Sequence, residues 1–167
     1  VTGVQTCALP ISVLLANFAN VKKGFNVIDL CSGTGIVPFI VAGKTEASNI
    51  TGIEIQEEMV EMADRSVKFN KLEERVKFMC EDLKNIEALK KLPKADVVTV
   101  NPPYKLANSG IVNPSDKMAI ARHEVCCNLE DVIIACRTLL KDNKRMYMVH
   151  RRSEEHTSEL QSPCGSR

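Results

Sequence analysis

The stretch Asn26–Ile40, "NVIDLCSGTGIVPFI", decides the fold. Val27, Ile28 and Leu30 form an apolar run of strand length over Asn26–Leu30. Gly33 and Gly35 interrupt it, and a second apolar run over Ile36–Ala42 reads as a helix. Pro38 suits that helix because it falls in the first turn, where an N–H has no intrahelical partner. Strand, tight glycine turn and helix in this order make the opening unit of an α/β sheet.

The alternation continues along the chain. Strands are expected at Ile50–Ile55, Val76–Cys80, Asp96–Val100 and Lys144–His150. Helices are expected at Gln56–Phe69, with Met59, Ala63 and Val67 on one face, and at Leu83–Lys91, stopped near Pro93. A further helix carries the stripe Leu129, Val132, Ile133, Cys136 and Leu140, capped by Asn128 with Asp131 three residues on. Ser12–Phe18 suggests a leading helix. The pattern implies a mostly parallel, doubly wound sheet with right-handed crossovers. All strand C-termini then share one rim, and ligands bind there where the strand order reverses.

The two ends read differently. Residues 1–12, "VTGVQTCALPIS", and residues 152–167, "RSEEHTSELQSPCGSR", resemble the two strands of one sequencing-adapter sequence translated in different frames. The expectation is that both are adapter-derived and that residues 13–151 form one domain, incomplete at its C-terminus after the fifth strand. The plainer reading is two polar or disordered tails.

Composition sets further bounds. Setting aside two basic and three acidic residues in the tails leaves 20 Lys+Arg against 18 Asp+Glu, so no polyanion-binding field follows from charge alone. No apolar run reaches membrane-spanning length, and a soluble, cytoplasmic protein is expected. Of seven cysteines, Cys7 and Cys164 lie in the tails. Cys31, Cys80, Cys126, Cys127 and Cys136 form no C-x-x-C and are expected to be small buried hydrophobes, with no metal bound.

Chemistry gathers at the strand ends. Asp29 stands four residues before Gly33-Thr34-Gly35. The third glycine of a dinucleotide fingerprint would fall at Pro38, so that motif fails, and a nicotinamide oxidoreductase is disfavoured. An acidic residue before the glycines suits a ligand with a cationic amino group. Glu54, at the end of the second strand, can accept hydrogen bonds from two ribose hydroxyls, and Ile55 can pack on an adenine face. Asp82, after the third strand, can accept from an adenine amine or cap the helix that follows.

The fourth strand ends in Asn101-Pro102-Pro103-Tyr104. An amine on an aromatic ring is a poor nucleophile because its lone pair is spread into the ring. The Asn101 side-chain oxygen and the Pro102 carbonyl can accept its two N–H bonds and localise that lone pair. Pro103 stiffens the turn, and Tyr104 offers a flat face for a base. The rival reading is a rigid turn after a strand.

Together these residues resemble the class I, Rossmann-like S-adenosylmethionine-dependent methyltransferases with an Asn-Pro-Pro-Tyr motif. The segment "NPPYKLANSGIVNPSDKMAIARHEVCCNLEDVI" and "SVLLANFANVKKG" are similar to the bacterial tRNA1(Val) adenine-N6 methyltransferases. The resemblance implies S-adenosylmethionine as cofactor and tRNA as substrate. It implies that Asp29, Gly33 and Gly35 cradle the methionine end, that Glu54 and Asp82 hold ribose and adenine, and that Asn101 to Tyr104 do the chemistry. Arg122, His123 and Glu124 fall near the substrate entrance by the same resemblance, or on a polar helix surface. A glutamine-amide methyltransferase of release factors and a non-catalytic RNA-binding module of the same fold remain as alternatives. Family members continue beyond the fifth strand, which here would leave an apolar edge at Met146 and Met148 and make this polypeptide a poor enzyme.

Overall fold

The computed structural model describes residues 8–102 and 127–149, with backbone only for residues 8 and 9. Its elements are α1 (Ala8–Phe18), β1 (Asn26–Leu30), α2 (Ile36–Lys44), β2 (Asn49–Glu54) and α3 (Glu57–Phe69). They continue as β3 (Val76–Cys80), α4 (Ile86–Leu89), β4 (Ala95–Val100), α5 (Leu129–Leu139) and β5 (Leu140–Met148). The five described strands form one sheet in the order β3-β2-β1-β4-β5, and every pair is parallel.

The two central strands are the most apolar. All six residues of β4 are buried, as are the last four of β1, because helices cover both faces. On one face Leu15, Val41 and Val67 from α1, α2 and α3 pack on Val27, Ile50 and Val97. On the other, Leu89 and Val132, Cys136 and Leu139 of α5 pack on Ile28, Ile53, Val98 and Val100. Fully burying one such aliphatic side chain is worth about 1.5–3 kcal/mol, so this two-sided core is the main favourable term.

One transverse row of the sheet positions the site. The register aligns Phe78, Gly52, Asp29, Thr99 and Tyr147 across β3, β2, β1, β4 and β5. Paired residues project to the same face. Gly52 leaves the space that the Phe78 ring fills: a Cβ there would lie 2.4 Å from that ring. The ring also reaches Gly35 at the start of α2, where a Cβ would again meet it at 2.4 Å.

Polar contacts fix the helix ends. The Lys44 ammonium donates to the Asn17 side-chain oxygen (2.9 Å) and carbonyl (3.3 Å), tying α2 to the last turn of α1. The Arg75 guanidinium donates to the carbonyls of Ala42, Thr45 and Ala47, closing the α2–β2 connection. Asn128 and Asp131 form a reciprocal capping box at α5.

Several boundaries depart from the sequence reading. The helix expected over Leu83–Lys91 shrinks to Ile86–Leu89, with Asn85 as its cap. Asp82 instead accepts the Lys84 N–H (2.8 Å) and closes a turn, because the chain bends before it can coil. In α5 the buried residues are Val132, Ala135, Cys136 and Leu139, while Leu129 and Ile133 are exposed. The stripe therefore leans toward the small Ala135, which permits close approach to β4. In α3 Val60, not Met59, joins Ala63 and Val67 in the buried set. Helix α1 starts at Ala8, ahead of the expected Ser12, and β5 runs from Leu140 rather than Lys144. Met146 and Met148 lie on β5, which is the last strand in the described sheet order. Among the described cysteines only Cys136 is buried. Cys80 is exposed, and Cys31 and Cys127 are half-buried.

Candidate active site

The sheet order reverses between β1 and β4, and Asp29, Gly33, Gly35, Glu54 and Asn101 lie at the strand C-terminal rim there. The loop after β1 holds three left-handed backbones in five residues: Cys31 (φ 55°), Gly33 (φ 54°) and Gly35 (φ 88°). The Ser32 N–H donates to the Ile53 carbonyl (3.1 Å), extending the β1–β2 ladder, and the Gly35 N–H donates back to Ser32 (2.9 Å). The two glycines serve different ends. A Cβ on Gly33 would meet nothing within 4 Å, so its surroundings are open, whereas a Cβ on Gly35 would strike Phe78 and Phe39. Ser32 is buried and its hydroxyl has no hydrogen-bond partner among the described residues.

Glu54 closes the loop from the side. Its Oε2 accepts the Gly33 N–H (2.8 Å), and its Oε1 accepts the N–H groups of Ile55 (3.0 Å) and Gln56 (3.1 Å). A carboxylate offers about four acceptor positions. Three are taken, so one remains on Oε2, where the sequence reading had two hydroxyls in view. Glu54 is 6% exposed, and these backbone donors satisfy its buried charge. Ile55 beside it is half-buried.

Asp29 is 2% exposed and accepts the Thr99 hydroxyl at 2.5 Å. Burial pushes its carboxyl up to about 7, the Thr99 bond works against that rise, and the neighbouring Glu54 charge adds to it. Thr99 did not emerge from the sequence. Its signal is a lone hydroxyl in the otherwise apolar end of β4, one residue before the strand's last, as Asp29 is in β1.

β4 continues into Asn101, which follows the Leu30–Val100 pair. The Asn101 side-chain N–H donates to the Ser12 hydroxyl (3.2 Å), and Ser12 is buried against it. That bond turns the amide nitrogen toward α1. Pro102 is buried. Pro103, Tyr104, Arg122, His123 and Glu124 lie outside the described residues. Asp82 is half-buried in its turn after β3.

A thiol pair sits under the same loop. Cys31 and Cys127 both pack half-buried against the same core cluster, and their mutual interaction draws the Cys127 thiol down to about 7 and raises that of Cys31. Among the described residues no cluster of three or more His, Cys, Asp or Glu could hold a metal ion. No described helix is long and apolar enough to cross a membrane.

Comparison with known proteins follows the same lines. A tRNA1(Val) (adenine(37)-N6)-methyltransferase of Aliivibrio salmonicida is 25% identical over 146 residues, covering 86% of this chain and 60% of that protein. One from a Flavobacteriaceae bacterium is 32% identical over 112 residues, covering 67% of this chain and 45% of its own length. The chain thus spans at most about three fifths of these relatives. Among solved structures, TrmN from Thermus thermophilus superposes with a TM-score of 0.61 at 17% identity, over 84% of this chain and 37% of that one. An S-adenosyl-L-methionine-dependent methyltransferase from Thiobacillus denitrificans, bound to S-adenosyl-L-homocysteine, gives 0.56 at 20% identity, over 82% and 46%. These likenesses show a shared Rossmann-like fold. The family model for the methyltransferase domain matches residues 21–165, and this chain belongs to that family.

Proposed function

We propose that the chain belongs to an enzyme that transfers a methyl group from S-adenosylmethionine to the exocyclic N6 of an adenosine in tRNA. The supporting observation is the adjacency of β1 and β4. The Asp29–Thr99 bond clamps the two strand ends together, and Asn101 leaves β4 beside the loop that begins at Cys31. The relatives named above carry the tRNA reading.

The rim fits the cofactor's chemistry. Open space over Gly33, a buried carboxylate at Asp29 and one vacant acceptor position on Glu54 suit a ligand with cationic and hydroxyl groups. Asp29, Gly33 and Gly35 would hold its methionine end, Glu54 a ribose hydroxyl, and Ile55 and Asp82 its adenine. The cofactor supplies an electrophilic methyl on a sulfonium: an N–C bond forms as the S–C bond breaks, and the amine's surplus proton passes to solvent. Asn101 Oδ1 and the Pro102 carbonyl accept the two N–H bonds of the target amine. Ser12, holding the Asn101 nitrogen, aims Oδ1 the other way. By the sequence resemblance, Pro103 would stiffen the chain after Pro102 and Tyr104 would stack the base. Positioning supplies most of the rate, so no strong general base is needed.

The test is mass spectrometry of nucleosides from tRNA incubated with the protein and S-adenosylmethionine. N6-methyladenosine is the expected product. Methyl appearing on a release-factor glutamine instead, with tRNA unmodified, overturns the reading.

A further inference from the structure

A second surface, away from the cofactor rim, carries cations and exposed rings that the site above does not use. Helix α1 runs from Ser12, at the Asn101 rim, to Phe18 and then to the turn before β1. Beside it, Arg145 and Tyr147 of β5 and Val149 just after the strand lie on one face by their alternation. Val149 bonds to the Val100 carbonyl at the catalytic rim, while Arg145 pairs with Val97 near the opposite one. Four strand residues separate the two, about 13 Å.

The middle of this seam is aromatic. The Phe18 ring meets Tyr147 edge-on, with centroids 5.9 Å apart and planes at 84°, yet Phe18 is 78% exposed. Packed edge-on against Tyr147, the Phe18 ring keeps most of its surface accessible beside the cationic end of the seam. The far end is cationic. A cleft of about 190 Å³ opens there between Lys22, Phe25, Lys144 and Arg145. Its one acid, Asp96, is already matched by Lys141 (2.8 Å) and Lys144 (3.1 Å). Neither Lys22 nor Arg145 forms an ion pair among the described residues, and both are exposed.

We infer that the α1–β5 seam is the track for single-stranded RNA flanking the target adenosine: a neighbouring base stacks on Phe18, and a backbone phosphate enters the Lys22–Arg145 cleft. The inference rests on the tRNA reading and deepens it. Aromatic platforms joined to a cationic groove are how single strands are held without base-specific contacts. A free phosphate would use the cleft alone and be indifferent to Phe18.

Binding of a tRNA transcript to the full chain, without cofactor, is measured by fluorescence anisotropy from 50 to 200 mM KCl. K22A/R145A should flatten the log–log salt slope by about 1.4, two contacts at roughly 0.7 each, and weaken binding about tenfold or more. F18A should weaken it by about tenfold or more with the slope unchanged, and F18W should restore it. Lys90→Ala, at the C-cap of α4, should bind as the unmodified chain does. Unfolding midpoints and S-adenosylhomocysteine affinity report that each variant is folded. If both seam variants keep the original affinity and slope, the track is overturned while tRNA methylation stands. Loss in K22A/R145A without loss in F18A overturns it equally, because it describes an isolated phosphate site. No tRNA binding by this chain brings down the track, and no methylation of tRNA by the complete enzyme brings down the tRNA reading.

Discussion

The Thr99 hydroxyl donates to Asp29 Oδ1 across 2.5 Å, joining the ends of the two central strands through a buried carboxyl. Burial away from water, with a smaller contribution from the neighbouring Glu54 charge, pushes the Asp29 carboxyl up from 3.8 to about 7 against the Thr99 bond. Between those values the folded chain holds a proton that the unfolded chain has lost. Stability must therefore fall as pH rises from about 4 to 7 and level off above. D29N should flatten that decline and leave the ligand-free protein more stable above pH 7, by a few kcal/mol at most, on the order the shift allows. It should also lose cofactor affinity. Thr99→Val should carry the decline to higher pH, and Thr99→Ser should restore it. Urea midpoints from pH 5 to 8 decide this; parallel curves for all variants would defeat it.

Asp96 behaves in the opposite sense. Its burial favours the neutral form, but bonds from Lys141, the Asn26 N–H and Lys144 outweigh this and hold it at about 2. Its contribution is fully present above about pH 4 and is lost as pH falls through 2. Asp96→Asn should cost on the order of 2 kcal/mol at pH 7. Both lysines are partly exposed, so neither is left as a buried orphan charge. The variant should unfold less steeply with acid between pH 4 and 2. An unchanged urea midpoint at pH 7 would count against the assignment.

The sequence makes the inner sheet legible because its strands are short apolar runs, with β1 ending at a glycine turn and β4 at a double proline. Asn26–Leu30 and Val76–Cys80 match the structure residue for residue. Helices were harder to read where tertiary contact overrides pattern. Ile133 fits a stripe at four-residue spacing from Leu129 but faces water, because Ala135 on the other flank lets α5 sit closer to β4. Glu54 was legible as a rim carboxylate, yet nothing in its neighbours' identity announces that backbone donors occupy it. Such bonds depend on loop dihedrals, which three positive φ values set here. Thr99 and Ser12 came from strand and helix registers that lie 70 and 89 residues from their partners.

The glycines rank by what surrounds them. Gly35 combines φ 88° with a Cβ position 2.4 Å from Phe78, so Gly35→Ala should be the most damaging. Gly52 has no positive φ, and a Cβ there meets the Phe78 ring at 2.4 Å and the Ser32 hydroxyl at 2.9 Å; overpacking of this kind costs about 1–3 kcal/mol. Gly33→Ala pays only for its left-handed backbone, about 1–2 kcal/mol. Chemical denaturation should give that order. In a double-mutant cycle, Phe78→Leu should recover part of the Gly52→Ala loss and little of the Gly33→Ala loss. Equal effects at all three positions would contradict the packing account.

Asn101 carries the transfer chemistry in the proposed reading, and Ser12 only aims it. Asn101→Ala removes the acceptor and should slow single-turnover methylation by roughly 10²–10³, the range for deleting one preorganised polar group at a reacting centre. S-adenosylhomocysteine should bind it nearly as before, since the proposed cofactor contacts come from the ends of β1, β2 and β3. Ser12→Ala keeps the acceptor but frees the amide to turn, so its loss should be smaller and confined to the transfer step. Asn101→Asp keeps an acceptor and replaces the donor to Ser12 with a second acceptor. The Ser12 hydroxyl can rotate to donate to it, so this variant should retain more activity than Asn101→Ala. Enzyme in excess over tRNA makes even weak turnover readable. If Asn101→Ala transfers methyl at the original rate, the amide has no part in the reaction and the Ser12 contact is merely structural.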